Sequence, residues 1–340
     1  MATFWNTFLK TFAIFASIAT TIILASLLLT FIDLKNKDEF LLINGDKKSS
    51  NIIAVIELNG LIIKNNKEFA KITNPFVISP MEIKKYLNNL KNISPKVIIF
   101  SINSPGGTVS ASKKFYDIIK EFKNNNSTEI LFHTNELLAS GGYWASTSAD
   151  GIYASYGSII GSIGVKGPDW FFYDKPKSIS TGIFGNKIET KNGIKLFMSK
   201  AGKSKDIFNP FREPYNYELD HLQNMVDEIY DDFVRVVSKE RKIETNTIVN
   251  DIGALIYTSK KAVKIHLIDD EISLDNLINK IIKEKKFKDY KVIKIYNKNN
   301  SLLREILTGN FYTSVNNMKN ECLSLRSSIA AILSYQSTGC

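Results

Sequence analysis

The sequence predicts an α/β protein, a layered sheet with helices packed against it, preceded by one N-terminal transmembrane helix. Three observations carry this. Phe12 to Ile32 is a run of 21 residues without charge, proline or glycine. Beyond it, short β-branched runs alternate with helical patterns. Several of those runs end in glycine-rich turns that open helices, which is the repeating unit of a layered α/β sheet.

The chain has 340 residues, 44% hydrophobic and 23% charged. That composition suits a folded core, and the length suits one large domain. At a helical rise of 1.5 Å per residue, the apolar run reaches roughly 30 Å, the thickness of a bilayer core. A signal peptide has a shorter apolar region of about 7–15 residues and a small-residue exit. Thr30-Phe31-Ile32-Asp33 is a poor cleavage site, so residues 1–33 read as a short N-terminal stub and an uncleaved signal anchor. Lysine counts do not orient it: Lys10 precedes the run, whereas Lys35, Lys37, Lys47 and Lys48 follow it.

The net charge of +10 is spread along the chain beside asparagine and isoleucine. No basic stripe with interleaved aromatics appears, which argues against a nucleic-acid partner. Some attraction to anionic lipid follows from the same charge. Cys322 and Cys340, in the tail, either pair or stay free. With three histidines and no metal-ligand spacing, neither a metal nor a cofactor is expected.

Residues 34–51 are polar and read as a linker. Ile52 to Leu58 is a buried strand by its β-branched content, ended by Asn59-Gly60. Ser79-Pro80-Met81-Glu82 opens a helix with a capping serine, proline at the first position and a glutamate three residues after the cap. Lys96 to Ile102 is a second strand, followed by Pro105-Gly106-Gly107 and a helix from about Val109. Ile130 to His133 begins the strand that delivers Ser140, and Gly151 to Ala154 is another strand. Ser158 to Val165 reads as a glycine-punctuated turn, and Ile194 to Met198 as a strand. Leu219, Leu222, Met225, Val226, Ile229, Tyr230, Phe233, Val236 and Val237 recur at helical spacing, which predicts a long amphipathic helix. Shorter helices follow near residues 259–265 and 273–283. No internal repeat appears, so residues 52–290 form one catalytic domain and 291–340 an extension of unknown role.

Ser140 stands where an extended segment meets a helix, ahead of Gly141-Gly142. Alone, it reads as a helix cap. It also has the placement of an acyl-transfer nucleophile, with the next backbone N–H facing the group attacked. The glycine turn at 106–107 can present a second N–H. A triad would need a histidine. His133, His221 and His266 all read as structural or surface residues. A lysine can replace it if desolvation lowers its pKa from about 10.4 by about 2–3 units.

Asn103-Ser104-Pro105-Gly106-Gly107, Ala139-Ser140-Gly141-Gly142-Tyr143, Gly161-Ser162-Ile163-Gly164-Val165 and Gly202-Lys203-Ser204-Lys205-Asp206-Ile207 follow one another in order. The later helix with Gln223, Val226-Asp227, Tyr230 and Phe233-Val234 and the segment from Gly253-Ala254-Leu255 to Ile268-Asp269 extend the series. With these, the chain from about Ile52 to Ile282 resembles the signal peptide peptidase A family of membrane-anchored serine proteases. The resemblance implies Ser140 as nucleophile and Lys205, rather than Lys203, as general base. It implies Ser162 as the hydroxyl orienting the lysine, and Gly107 and Gly141 as oxyanion donors. The fold implied is the crotonase-like α/β sheet shared with the Clp proteolytic subunit. Peptide substrates are implied, signal peptides and other apolar segments, with no cofactor and with membrane lipid as surroundings. So is a ring-shaped homo-oligomer in which serine and lysine meet across a subunit boundary. The location implied is the bacterial inner membrane, single-pass, with the catalytic domain outside the cytoplasm. The chain departs from the family in a longer, aromatic Gly167–Asn192 segment and in His266, where the family usually has glycine. Two rival readings are a crotonase-type acyl-CoA enzyme and a non-catalytic membrane scaffold. The anchor and the Ser-Lys pair oppose the first, and the presence of both residues opposes the second.

Overall fold

Strands β2 (Ile52–Asn59) and β5 (Val97–Asn103) are near-continuous apolar runs, and they lie where both sheet faces are covered. In this computed structural model the described residues are 2–35, 40–64, 77–174, 178–181, 186–189, 193–194, 197 and 199–295. Alternation along the two strands divides two cores. Ala54, Ile56, Ile98 and Phe100 face a large core shared with Phe115 and Phe233. Ile53, Val55, Val97 and Ile99 face a smaller one closed by Leu277 and Ile281. The result is three layers: helices, sheet, helix.

The other elements are α1 (Ala2–Lys35), β1 (Phe40–Gly45), β3 (Leu61–Ile62), β4 (Val77–Ile78), α2 (Pro80–Lys91), α3 (Val109–Asn125), β6 (Glu129–Thr134), β7 (Leu137–Ala139), α4 (Gly141–Ser146), β8 (Gly151–Ala154) and β9 (Ile159–Gly161). A hairpin of β10 (Ser178–Thr181) and β11 (Asn186–Glu189) comes next. Then follow α5 (Asn216–Arg241), a short turn and π-helix over 245–252, β12 (Ile256–Thr258), α6 (Ser259–Lys264), β13 (Asp270–Glu271), α7 (Leu274–Glu284) and β14 (Lys291–Ile295). The main sheet has the order β1-β14-β2-β5-β6-β8-β13, parallel except for β1. A second sheet, β12-β9-β7, carries the segment that leads to Ser140.

The helix α1 contains one stretch, Thr3–Leu24, apolar and long enough to cross a membrane. The side chains of Thr3–Leu24 are exposed to the surroundings, as a lipid-facing helix requires. The sheet begins inside the stretch read as a linker, because Phe40–Gly45 pairs with Lys291–Ile295. Leu41, Leu42 and Ile43 are all exposed, so this strand leaves no burial periodicity in the sequence. β1 runs antiparallel to β14, the strand it pairs with. The chain coming from α1 therefore enters the sheet from the side on which the parallel strands end.

Two other expectations change. The strand at Ile130 does not itself deliver Ser140: β6 ends at Thr134, and β7 belongs to the other sheet. The stretch at Ser158 contains a strand, β9, rather than only a turn. The strand expected at Ile194 to Met198 lies partly outside the described residues, as does much of Gly167–Asn192. The extension from 296 onward, with Cys322 and Cys340, lies wholly outside them.

His266 adopts φ +61°, the left-handed conformation in which a Cβ is unfavourable. Its N–H closes α6 onto Val263 O. This explains why glycine suits the position. His266→Gly is expected to raise stability by about 1 kcal/mol, since the strain outweighs glycine's added unfolded-state entropy. Denaturant melts of the two proteins measure it, and a lower midpoint for the variant would contradict the assignment.

Candidate active site

Ser140 closes β7 and opens α4. Its backbone is held at φ +51°, ψ −125°, a costly conformation for a residue with a Cβ. The expectation of a simple helix cap fails on geometry, because its hydroxyl makes no capping hydrogen bond. The strain is imposed by partners on both sides. Ser140 N–H donates to Gly161 O at 2.9 Å, and Trp144 N–H donates to Ser140 O at 2.9 Å. Behind it, α4 is locked by buried aromatics. Tyr143 donates its hydroxyl to Leu267 O at 2.8 Å, and Trp144 stacks on Phe233 with centroids 4.6 Å apart. Burial pushes the Tyr143 phenol well above its ordinary range, so it remains a donor.

The glycine turn after β5 is brought onto Ser140 by Ser104. Ser104 N–H donates to Leu137 O and Ala139 N–H donates to Ser104 O, which lays the turn beside β7. The Ser104 hydroxyl donates to Gly60 O and accepts from Gly106 N–H. Gly106, at φ +109°, passes so close that a Cβ there would lie 2.8 Å from Ser140 Cβ. On the far side of the turn, Ile62 N–H donates to Gly106 O and Thr108 N–H donates to Ile62 O. That pairing with β3 uses the groups on either side of Gly107 and leaves the Gly107 N–H pointing away from β3.

Gly141 completes the arrangement. A Cβ built on it would lie 3.3 Å from Gly107 N, so the two backbones adjoin. Neither the Gly107 nor the Gly141 N–H donates to another described residue. Two unspent donors beside a serine hydroxyl can hold a developing oxyanion. The Ser140 hydroxyl is itself half-buried and without a hydrogen-bond partner among the described residues. Ser162 follows Gly161, and parallel pairing of Ala139 with Gly161 sets it alongside Ser140. Ser162 is also left-handed, at φ +53°.

The structure thus gathers Ser140, Gly107, Gly141 and Ser162. Within the protomer no hydrogen bond joins Lys205 to any of the four among the described residues. Lys205 is exposed at a turn where its backbone N–H donates to Gly202 O at 3.3 Å, and its amine forms no hydrogen bond or ion pair with another described residue. Lys203 is engaged, with its ammonium 4.0 Å from the Tyr217 ring centroid. Among the described residues, no histidine is hydrogen-bonded to Ser140. His133 is buried, with Nε2 3.0 Å from Ile272 O, and burial lowers its pKa. Among the described residues, no cluster of histidine, cysteine and carboxylates could hold a metal.

Sequence reasoning missed two features of this region. Ser112, on α3, packs its buried and unpartnered hydroxyl where a Gly141 side chain would go. Asn103 accepts from the Thr134 hydroxyl and from the Asn135 and Glu136 N–H groups, and so bends the chain from β6 into β7. Only the position of Asn103 at the strand end hinted at this.

Residues 123–288 match the profile of Peptidase family S49. A protein of Methanocaldococcus jannaschii whose name marks it as a protease is 32% identical over 59% of this chain and 61% of its own length. An Enterococcus faecium protein named as a signal peptide peptidase SppA is 29% identical over 73% of this chain and 68% of its own. The chain thus spans about two thirds of the length of these relatives. Among solved structures, the 1510-N membrane-bound stomatin-specific protease in complex with a substrate peptide aligns with a TM-score of 0.42 and 13% identity. It covers 76% of this chain and 98% of that one. The similarity to peptidase family S49 thus runs through residues 123–288, just under half of the chain.

Proposed function

We propose that this chain is a membrane-anchored serine endopeptidase that cleaves signal peptides left in the bilayer and other apolar segments. Ser140 is the nucleophile, and Gly107 and Gly141 are the oxyanion donors. Lys205 of a neighbouring copy is the general base, oriented by Ser162. The observation that carries this reading is the convergence of two unspent N–H groups on an unpartnered serine hydroxyl held in a strained conformation.

The chemistry follows from that placement. Ser140 Oγ attacks the scissile carbonyl carbon and gives its proton to the neutral lysine amine. The carbonyl oxygen becomes an oxyanion facing the Gly107 and Gly141 N–H groups. Collapse expels the leaving amine, which takes the proton back from the lysine, and an ester to Ser140 remains. Water then attacks that ester with the lysine again as base. Between the two candidate lysines, engagement of Lys203 with Tyr217 favours Lys205, whose amine is unspent. An exposed base and an unpartnered nucleophile in one protomer favour assembly across a subunit boundary, in a homo-oligomeric ring. Closing that boundary over a lysine amine removes water from it and favours the neutral form.

The apolar α1 supports attachment to a membrane, and we assign the bacterial inner membrane, with the catalytic domain outside the cytoplasm. A fluorophosphonate serine probe on the full-length protein in detergent tests the nucleophile. Mass spectrometry should find the adduct on Ser140, and an adduct elsewhere, or none on an enzyme that cleaves peptide, would contradict the reading.

A further inference from the structure

Lys205 is exposed, yet the turn that carries it is held by a network of ion pairs, hydrogen bonds and ring contacts. Ser204 and Phe208 flank it at φ +60° and +68°, so the turn holds two residues in the left-handed region. Such a turn persists only where its surroundings fix it. The fixing begins at Asp206, next to Lys205 in the chain and buried. Arg212 donates to it through Nε at 3.0 Å and through Nη2 at 3.2 Å, and Lys200 pairs with the same carboxylate. Arg212 also donates twice to Glu218, at 2.8 Å each, and to Glu213 O at 2.9 Å. Glu218 is 1% exposed and accepts from Tyr215 N–H, which caps the start of α5. The Arg212 guanidinium lies 4.8 Å from the Tyr215 ring centroid and 5.4 Å from that of Trp170. Beyond Arg212, the Ser204 and Tyr217 hydroxyls are 2.9 Å apart, and Phe208 packs edge-on against Trp170.

A buried ion cluster is seldom a cheap way to stabilise a fold, and it is a good way to fix one geometry. Here the fixed geometry is that of the turn, with the amine left outward and unspent. We propose that Arg212, bridging Asp206 and Glu218, and Tyr217, through Ser204, are positioning residues that hold Lys205 ready for a nucleophile on another copy. This deepens the proposed function and rests on Lys205 being the base. None of these residues need touch the substrate. Their effect is to avoid the cost of ordering the base at each turnover, and a displacement of about 1 Å can cost about 100-fold in rate.

The test uses full-length protein in detergent, with Tyr217→Phe, Arg212→Lys and Lys205→Ala compared for kcat, KM, pH profile, melting temperature and assembly size. Tyr217→Phe removes only one hydroxyl and keeps the ring beneath Lys203, so folding should survive. It is expected to lower kcat several-fold with KM unchanged, and to shift the limb of the pH profile that reports the base. Arg212→Lys, which cannot bridge two carboxylates bidentately, is expected to lower kcat by about 10-fold to 100-fold, with a greater shift in that limb. Wild-type kcat and pH profile in Tyr217→Phe would overturn the proposal, as would losses in both variants that track only the fraction assembled. Lys205→Ala separates the two failures. If it stays active, the proposed function fails; if it is inactive while Tyr217→Phe and Arg212→Lys match wild type, only the positioning role fails.

Discussion

Ser140→Ala and Lys205→Ala are each expected to lower peptide turnover by about 10⁴-fold, because nucleophile and base act as one unit. The two variants should differ in stability. Ser140 pays for its placement with a strained backbone at φ +51°. Alanine keeps that strain, whereas glycine removes it. Ser140→Gly is therefore expected to be as inactive as Ser140→Ala but more stable than it by about 1 kcal/mol. The Lys205 side chain is exposed and its amine has no partner among the described residues, so Lys205→Ala should melt within about 0.5 kcal/mol of wild type. Denaturant melts with turnover on the same samples check all four proteins. An inactive Lys205→Ala that is also badly destabilised would remove the evidence for a chemical role.

The second large effect concerns the oxyanion donors, whose N–H groups cannot be deleted by side-chain replacement. They can be displaced. A Cβ on Gly141 would lie 2.1 Å from Ser112 Oγ and 2.9 Å from Ser112 Cβ. Gly141→Ala must therefore push α4 off α3, and with it the Gly141 N–H. A loss of about 10²–10³-fold in kcat is expected, the scale of one lost oxyanion donor, with KM less affected. The clash is with a single side chain. Ser112→Gly removes both atoms, at a helix-propensity cost of about 1 kcal/mol. The double variant Gly141→Ala, Ser112→Gly should recover much of the lost kcat. Gly107→Ala has no such remedy, since its Cβ would meet the Ile62 backbone oxygen at 1.9 Å. Recovery at Gly141 without recovery at Gly107 is a pattern that a general loss of fold would not produce.

These features were unequally legible in the sequence. Ser140, Gly107, Gly141 and Ser162 lie in short local motifs, and their neighbourhood follows once the strands are placed in parallel register. Geometry separated the readings at Ser140. A cap and a nucleophile share the same residue pattern, and the unused hydroxyl and positive φ distinguish them. Hidden from sequence were features held by side-chain-to-backbone bonds. Asn103 breaks what reads as one strand into β6 and β7, and it does so through an amide oxygen that no hydrophobic period reports. The pairing of β1 with β14 was hidden for the opposite reason, because an edge strand with exposed Leu41 and Ile43 has no buried face to impose alternation. Arg212 joins partners six residues away on either side, Asp206 and Glu218. That spacing matches neither helix nor strand period, so only the folded turn shows it as a hub. Its guanidinium holds the Glu218 carboxyl near 2, well under the ordinary range, so the pairing persists through mild acid.

The central claim is that Ser140 of one copy works with Lys205 of another. Subunit complementation addresses it directly. Ser140→Ala and Lys205→Ala chains carrying different affinity tags are co-expressed, and assemblies containing both are purified through the two tags. If each site draws on two subunits, an equal random mixture should recover about a quarter of wild-type turnover, because half the sites keep the serine and half of those face an intact lysine. If serine and lysine act within one chain, every site in the mixed assembly lacks one of them, and turnover as low as that of either variant alone would contradict the claim.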